Sequence, residues 1–187
     1  MEKLMNTQET IQTTKWSIDP LHSEVLFKIK HLVISTVSGS FTQFEGNVNT
    51  TGDDFENAQI SFSIDVNSIH TGQEQRDAHL KNSDFFEIEK YPAIDFQSSS
   101  FIKTGDNQYI LTGDITLKGV TKEISLDVEF GGMEKDNWGN TKAGFELSGI
   151  INRKEFGLTF NSLTESGGLA LGENVKIAAN IQLARQN

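Results

Sequence analysis

The sequence predicts an all-β fold of about eight antiparallel strands, and three observations support this prediction. From Lys15 onward, apolar and polar residues alternate with a period of two, which is typical of a strand that buries one face. Glycine occurs 16 times and proline only 2 times, a composition that suits many turns better than long helices. The connections between alternating stretches are mostly short, which favours an up-and-down order of hairpins.

The first half of the chain contains alternating stretches with one apolar face. Their inward-facing residues are Val25, Phe27, Ile29 and His31; Val37, Gly39 and Phe41; Phe44, Gly46 and Val48; Ala58, Ile60, Phe62, Ile64 and Val66; and Ile94, Phe96 and Ser98. Leu26 is the one apolar residue on the outer side of the first stretch. The inward positions change from odd to even numbers near Gln43, which predicts a β-bulge or a bend there.

The second half of the chain alternates more regularly. Its inward-facing residues are Tyr109, Leu111, Gly113, Ile115 and Leu117; Ile124, Leu126, Val128 and Phe130; Ala143, Phe145, Leu147, Gly149 and Ile151; and Val175, Ile177, Ala179, Ile181 and Leu183. A turn at Gly119-Val120-Thr121 separates the first two of these strands, and Gly131-Gly132 ends the second.

Two segments fall outside this pattern. Residues 73–89 have no period of two and are rich in helix-forming residues, so they predict a short helical insertion between strands. Residues 1–14 are polar, so we expect a flexible tail there and a single domain over residues 15–187. Because the N-terminus lacks the apolar stretch of an export signal, we expect a cytoplasmic location, or a periplasmic one if a signal was removed.

Charge and cysteine content exclude several classes of function. The chain has 16 basic and 26 acidic residues, a net charge of −10, which argues against a nucleic-acid binder or a binder of anionic membranes. The absence of cysteine excludes disulfides, a cysteine nucleophile and a Cys-ligated metal site. No close histidine spacing of a metal motif occurs either, so we expect no metal and no cofactor other than a bound lipid or isoprenoid.

The pattern alone leaves the architecture and the interior open. Two sheets packed face to face and one sheet closed into a barrel both give alternating strands. Eight strands would enclose an interior just wide enough for side chains or for one small ligand. The small inward residues fit either a tapered filled core or a lumen with free space, and these residues are Gly39, Gly113, Gly149, Ala58, Ala143 and Ala179. Without further information, the pattern favours a filled core.

Several short strings add a family resemblance. They are Trp16-Ser17-Ile18-Asp19-Pro20-Leu21-His22-Ser23, Gly39-Ser40-Phe41, Phe44-Glu45-Gly46, Arg76-Asp77-Ala78-His79-Leu80, Asp84-Phe85-Phe86, Tyr91-Pro92-Ala93-Ile94-Asp95-Phe96, Gly113-Asp114-Ile115-Thr116-Leu117-Lys118-Gly119-Val120-Thr121-Lys122 and Ile151-Asn152-Arg153-Lys154-Glu155-Phe156-Gly157-Leu158. Together they resemble the YceI-like family of polyisoprenoid-binding, lipocalin-like proteins, in order from about Trp16 to Leu183.

The resemblance implies an eight-stranded antiparallel up-and-down barrel with a long apolar channel. It also implies non-catalytic binding of a long-chain amphiphile, such as a polyisoprenoid, an isoprenoid quinone or a fatty-acid amide, for carriage, storage or stress response. Family members are often homodimers, and many are exported to the bacterial periplasm. Without a visible signal, this chain resembles the cytoplasmic branch.

Under this interpretation the inward-facing residues line a lipid channel. The expected lumen residues are Val25, Phe27, Ile29, His31, Phe41, Ile60, Phe62, Ile64, Phe96, Leu111, Ile115, Leu126, Val128, Phe145, Leu147, Ile177 and Ile181. The aromatic members of this set would equally well fill a core, and the resemblance is what favours a channel.

The polar candidates for a head-group or rim site are Arg76, Asp77, His79 and Arg153. Arginine suits phosphate and planar acceptors, so Arg76 and Arg153 are expected to receive a phosphate, a carbonyl or another polar head. The alternative is that either arginine pairs with a carboxylate such as Asp77 or Asp84 and holds the irregular stretch against the barrel. For His22 and His70 we favour structural bonding to the backbone.

Three hypotheses of function follow, in decreasing order of support. The first is a lipid-binding barrel that takes a long-chain lipid or isoprenoid, without nucleic acid or stable membrane insertion, and forms a homodimer. The second is a structural or interaction barrel with a filled core. The third is a lipid-modifying enzyme that uses His79 with Asp77 or Asp84, although no Gly-x-Ser-x-Gly nucleophile motif is present.

Overall fold

The computed structural model describes residues 11–187, which are mostly in antiparallel strands. The strands are β1 (Thr13–Ile18), β2 (Glu24–His31), β3 (Ser35–Phe41), β4 (Phe44–Thr51), β5 (Asp54–Asp65), β6 (Ile69–His70), β7 (Ala93–Lys103), β8 (Gln108–Leu117), β9 (Val120–Lys135), β10 (Thr141–Asn152) and β11 (Leu171–Arg185). One α-helix, α1 (Glu74–Lys81), lies between β6 and β7. This helix confirms the predicted helical insertion within residues 73–89.

The strands close into an eight-stranded antiparallel barrel. The ring runs β1-β4-β5-β7-β8-β9-β10-β11, and β1 pairs with β11 to complete it. The long strand β11 pairs with β1 at one end and with β2 along the rest, so β1 and β2 act as one interrupted barrel strand. Likewise, β3 pairs with β2 and β4 pairs with β1. The predicted up-and-down barrel is therefore confirmed, and the alternative of two stacked sheets is wrong.

The predicted bend near Gln43 is also confirmed. β3 ends at Phe41 and β4 begins at Phe44. The backbone N–H of Gln43 donates to the Ser68 hydroxyl (3.0 Å), and its carbonyl accepts from the Asp65 N–H (3.0 Å). At this bend β3 turns away to pair with β6, whereas β4 stays paired with β5.

The predicted N-terminal tail overlaps the first strand. Residues 1–10 of that tail lie outside the described residues. Thr13 and Thr14 already belong to β1, where they pair with Thr51 and Thr50 of β4. The strand begins before the apolar pattern does because backbone pairing with β4 does not require apolar side chains.

One end of the barrel is filled by side chains, and we call it the closed end. Trp16 is 1% exposed, and its indole Nε1 donates to the Thr50 hydroxyl at 3.0 Å. The Phe55 ring contacts both the Trp16 ring (centroids 5.1 Å apart) and the Phe145 ring (4.9 Å). Phe101 stacks on Tyr109 at 4.6 Å. The filled core that the pattern favoured is therefore present, but only in this part of the barrel.

The inward glycines are covered by side chains of neighbouring strands. A Cβ atom on Gly113 would lie 2.4 Å from the carbonyl oxygen of Gln97 and 2.5 Å from the Phe96 ring. On Gly39 it would lie 2.3 Å from the Phe27 ring. These glycines therefore let aromatic rings approach the barrel wall closely, and they do not themselves create free space.

Candidate functional site

An apolar cavity of about 740 Å³ occupies the barrel beyond the closed end. Small-molecule sites in proteins usually measure about 300–1,000 Å³, so this volume is typical of a ligand-binding cavity. Gln73, Gln75 and Ser162 border the cavity and are exposed, so it reaches solvent at the end that carries α1. We call this opening the mouth.

The structure brings fourteen of the seventeen predicted lumen residues to the wall of this cavity. They are Val25, Phe27, Ile29, His31, Phe41, Ile60, Phe62, Ile64, Phe96, Leu111, Ile115, Leu126, Leu147 and Ile177. Their contact with a ligand stays a prediction. The period of two placed these side chains on the inner face, as the closed barrel requires.

Three predicted lumen residues do not reach the cavity. Val128, Phe145 and Ile181 border a separate void of about 60 Å³ next to the closed end. Phe145 is 8% exposed, and its ring packs against that of Phe130 at 5.0 Å. These residues point inward as predicted, but they lie at a height where aromatic side chains fill the barrel.

Several cavity-lining residues were not among the predicted lumen residues, mostly because they lie outside the alternating strands. Phe85 and Phe86 follow α1, and Leu158 and Phe160 lie between β10 and β11. Ala179 lies on the inner face of β11. For the residues outside the strands, the sequence signals were the apolar residues of otherwise irregular segments and the family strings that contain Phe85, Phe86 and Leu158.

Arg153 is the most buried charged residue at the cavity. It begins the 3-10 turn Arg153–Phe156 after β10, and its side chain is 3% exposed. Its Nε donates to the carbonyl of Gly172 (2.7 Å), and its Nη1 donates to those of Leu158 (2.6 Å) and Phe160 (2.9 Å). Its Nη2 is buried and has no hydrogen-bond partner among the described residues.

The charge of Arg153 persists despite this burial. Burial lowers the pKa of the guanidinium, and the nearby carboxylate of Glu173 partly opposes that effect. Because arginine starts from so high a pKa, the group remains protonated at neutral pH. Arg153 as a whole still contributes to the cavity wall, so its guanidinium places a positive charge beside the apolar space.

Arg76 supplies a second guanidinium to the cavity wall. Its Nε donates to the hydroxyl of Thr71 (2.8 Å), and its Nη2 donates to the carbonyl of the same residue (2.7 Å). Asp77 does not line the cavity; its carboxylate accepts from the backbone N–H of Thr71 (2.9 Å) and also from the Thr71 hydroxyl. Asp77 therefore positions Thr71, which in turn positions Arg76.

The predicted alternative, an ion pair between either arginine and Asp77 or Asp84, is not formed. Asp77 lies 3.6 Å from His70, and Asp84 lies 2.8 Å from His79. Among the described residues, no carboxylate lies within 4.0 Å of the guanidinium of Arg76 or Arg153. The apolar cavity thus has two cations in its wall whose hydrogen bonds go to hydroxyl and carbonyl oxygens.

The four histidines occupy different environments. His31 lines the cavity, as the phase of β2 predicted. His79 also lines it, with its ring 5.0 Å from those of Phe85 and Phe160. His22 bonds to the Asp19 carboxylate at 2.9 Å and is exposed, so its partner is a side chain and not the backbone. Within residues 11–187, no three His, Asp or Glu side chains converge as metal ligands would.

Comparison with known proteins gives one consistent family. A model of the YceI-like domain matches residues 16–183. A UPF0312 protein of Staphylococcus epidermidis is 39% identical over 175 residues, which cover 93% of this chain and 99% of that protein. In the part of the chain that the structure describes, no helix has the length and apolar character needed to cross a bilayer.

Two solved structures resemble the barrel. A YceI protein of Campylobacter jejuni is 31% identical, with a TM-score of 0.72, over 86% of this chain and 91% of that one. A polyisoprenoid binding domain from Saccharophagus degradans has a TM-score of 0.70 over 91% of this chain and 98% of that one. The second is only 15% identical, so it supports the fold alone.

Proposed function

This chain belongs to the YceI-like family, and we propose that it binds a long-chain amphiphile without chemically changing it. The apolar tail lies in the cavity, and the polar head contacts the guanidinium groups at the cavity wall. The observation that carries this proposal is an apolar cavity of about 740 Å³ whose wall contains the guanidinium side chains of Arg76 and Arg153. The ligand class is a polyisoprenoid, an isoprenoid quinone or a fatty-acid amide.

The cavity volume limits the length of the tail. If each carbon takes the ~30 Å³ share of a water-sized group, 740 Å³ holds about 25 carbons. Because an isoprene unit has five carbons, this corresponds to about five isoprene units, with a longer chain extending out of the mouth.

The head group decides which long-chain ligand is retained. Burying a methylene from water is favourable by about 0.8 kcal/mol, but a lipid that arrives from a membrane has already gained most of that term. Net affinity therefore depends on fit and on polar contacts. Arg153, Arg76 and His79 are the residues that we assign to these contacts, and their donors favour a phosphate or carbonyl oxygen.

The structural neighbour from Saccharophagus degradans is named as a polyisoprenoid binding domain, and we propose a ligand of the same class for this barrel. Carriage or storage of the ligand, a homodimer and a cytoplasmic location stay predictions from the sequence.

The test is to identify what the purified protein carries. Organic extraction followed by mass spectrometry should release a long-chain lipid, and the delipidated protein should rebind fluorescent isoprenoid or fatty-acyl probes. Protein that releases no lipid and binds neither probe would refute the proposal.

A pair of arginine variants tests the head-group assignment. Arg153→Lys keeps the positive charge but removes the forked donors, so affinity for a ligand with a phosphate or carbonyl head should fall about ten- to hundred-fold. Arg185→Lys is the matched control, because Arg185 stacks on Trp16 at the closed end, with 5.0 Å between its guanidinium carbon and the ring centroid. If Arg153→Lys and Arg185→Lys both bind the ligand as tightly as wild type does, Arg153 has a structural role alone.

A lipid-modifying enzyme is the second candidate function, because His79 Nε2 lies 2.8 Å from the Asp84 carboxylate beside the cavity. Such a pair can act as a general acid or base. We expect wild type to leave bound lipid unchanged over long incubation. Product that appears with wild type and disappears with folded His79→Gln would establish catalysis instead.

A further inference from the structure

Two neighbouring loops at the mouth expose large apolar side chains to solvent. Val33 and Ile34, in the β2–β3 turn, are 81% and 86% exposed, and Leu163, between β10 and β11, is 75% exposed. Leu32 and Leu169 are exposed beside them, and we call these five residues the apolar rim. Single exposed apolar residues are ordinary, but a contiguous group marks an interaction surface.

The two loops are joined to each other and to the cavity. The backbone N–H of Leu32 donates to the carbonyl of Ala170 at 2.7 Å. Leu163 and Leu169 pair as an isolated antiparallel bridge, so the second loop is a small hairpin. His31 and Ala170, directly next to the rim residues, line the cavity. The apolar rim therefore borders the mouth.

The backbone of the first loop is unusual for apolar residues. Leu32 and Val33 have φ values of 53° and 65°, in the left-handed region that glycine and asparagine favour. A β-branched residue such as valine is strongly disfavoured there. Because the turn geometry would be easier with polar or glycine residues, the apolar side chains serve something other than the turn.

Three lysines lie on the outer face of the barrel beside the rim. Lys28 of β2 is the direct cross-strand partner of Lys176 of β11, and Lys30 follows two residues nearer to the β2–β3 turn. Like charges in direct cross-strand pairs destabilise a sheet. None of these lysines has a carboxylate within 4.0 Å among the described residues, and we call them the lysine strip.

Few acidic residues accompany the lysine strip. Glu173, near the start of β11, is already paired with Lys154 at 2.7 Å. Glu165 is the one acidic residue of the hairpin between Asn161 and Leu171. The net charge of −10, which argued against binding to anionic membranes, therefore conceals a local basic surface.

We infer that the apolar rim and the lysine strip dock the mouth of the barrel on an anionic lipid bilayer. Apolar side chains next to basic residues are the combination that holds a protein at a bilayer surface. A second copy docked rim to rim would bring two lysine strips together, which disfavours a dimer through this face. Docking would let a lipid tail pass between bilayer and cavity without crossing water, and this purpose rests on the proposed function.

Vesicle flotation tests the docking. Wild type should bind vesicles of phosphatidylcholine with 30% phosphatidylglycerol more tightly than pure phosphatidylcholine, and high salt should weaken the binding. Lys28→Gln with Lys176→Gln should lower binding to the anionic vesicles about 25-fold, at roughly five-fold per lysine. The inference would be overturned if wild type does not bind the vesicles, or if its binding depends on neither salt nor phosphatidylglycerol.

A rim variant and a matched control complete the test. Val33→Asn with Ile34→Ser should lower vesicle binding at least about ten-fold, because two apolar side chains no longer enter the bilayer. Asparagine tolerates the left-handed backbone, so this variant should fold, as circular dichroism will check. Trp138→Ser removes an 84% exposed aromatic residue between β9 and β10, at the end opposite the mouth, and should leave binding unchanged.

The outcomes separate docking from cavity binding. Equal vesicle binding by wild type and the rim variant overturns the inference. The inference is also overturned if neither protein binds vesicles and wild type is a dimer whereas the rim variant is a monomer. If extraction yields no lipid but vesicles are bound through the rim, docking stands and the proposed function fails. Bound lipid without vesicle binding overturns docking alone.

Discussion

Ala179→Phe is predicted to shorten the lipid tails that the protein accepts. Ala179 lies on the inner face of β11, between Val25 of β2 and Leu147 of β10, and all three line the cavity. A phenylalanine at this position places its ring in the cavity, where space is available, so it should not strain the barrel wall. The protein should therefore remain folded and at least as stable as wild type.

The size of the effect follows from the cavity volume. The added ring has six carbons, against a capacity of about 25 carbons for the whole cavity. The variant should thus hold about 19 carbons. Excluding six methylenes from the cavity removes about 5 kcal/mol of transfer free energy, for a ligand that enters from water and fills the site. Shorter ligands should lose little.

The assay is a chain-length series of fluorescent fatty-acyl and isoprenoid probes, with the extracted lipids measured by mass spectrometry. The longest chain that still gains affinity should be about six carbons shorter in the variant than in wild type. Asn180→Phe, which adds the same ring on the exposed face of β11, is the control and should behave like wild type. An unchanged length limit in Ala179→Phe would show that the tail does not occupy this cavity.

Three further predictions concern the stability of the barrel, and urea unfolding measures each of them. Gly113→Ala should lower the free energy of unfolding by about 1–3 kcal/mol, because the new Cβ would lie 2.4 Å from a backbone oxygen, whereas Gly131→Ala, with no atom nearer than 3.5 Å, should have little effect. Trp16→Phe should cost about 2 kcal/mol through the lost hydrogen bond and the smaller ring, and equal stability would contradict the importance of that contact. Burial opposes ionisation of Asp19, but hydrogen bonds from His22, Lys142 and the backbone hold its pKa below the ordinary 3.8. Wild type should therefore be more stable than Asp19→Asn at neutral pH. This difference in the free energy of unfolding should disappear as the pH falls below 3.8 and through the lowered pKa of Asp19. A difference that does not depend on pH would show that ionised Asp19 does not stabilise the fold.

The faces of the strands were predictable from the sequence because side chains alternate across a strand whatever the strand pairs with. For the same reason the change of phase near Gln43 predicted a bend at the right place. The helical insertion followed from the loss of this period in residues 73–89. Up-and-down closure needed the resemblance to a family, since two stacked sheets would have given the same alternation.

The height of each residue along the barrel was not predictable. Phe62 and Phe145 both face inward, yet Phe62 lines the cavity and Phe145 packs among the aromatic rings of the closed end. The pattern gives the side of the sheet but not which inward residues of distant strands meet at one level. That level depends on strand register and on the stagger of strands around the closed barrel.

The sequence by itself determined the all-β class, the inner faces of the strands and the candidate arginines. Only the tertiary structure decided that Arg153 keeps a buried donor without a partner among residues 11–187, and that Lys28 lies opposite Lys176. It also brought Leu32 next to Ala170. Burial and proximity depend on contacts between segments far apart in the chain, and a local periodicity contains no information about those contacts.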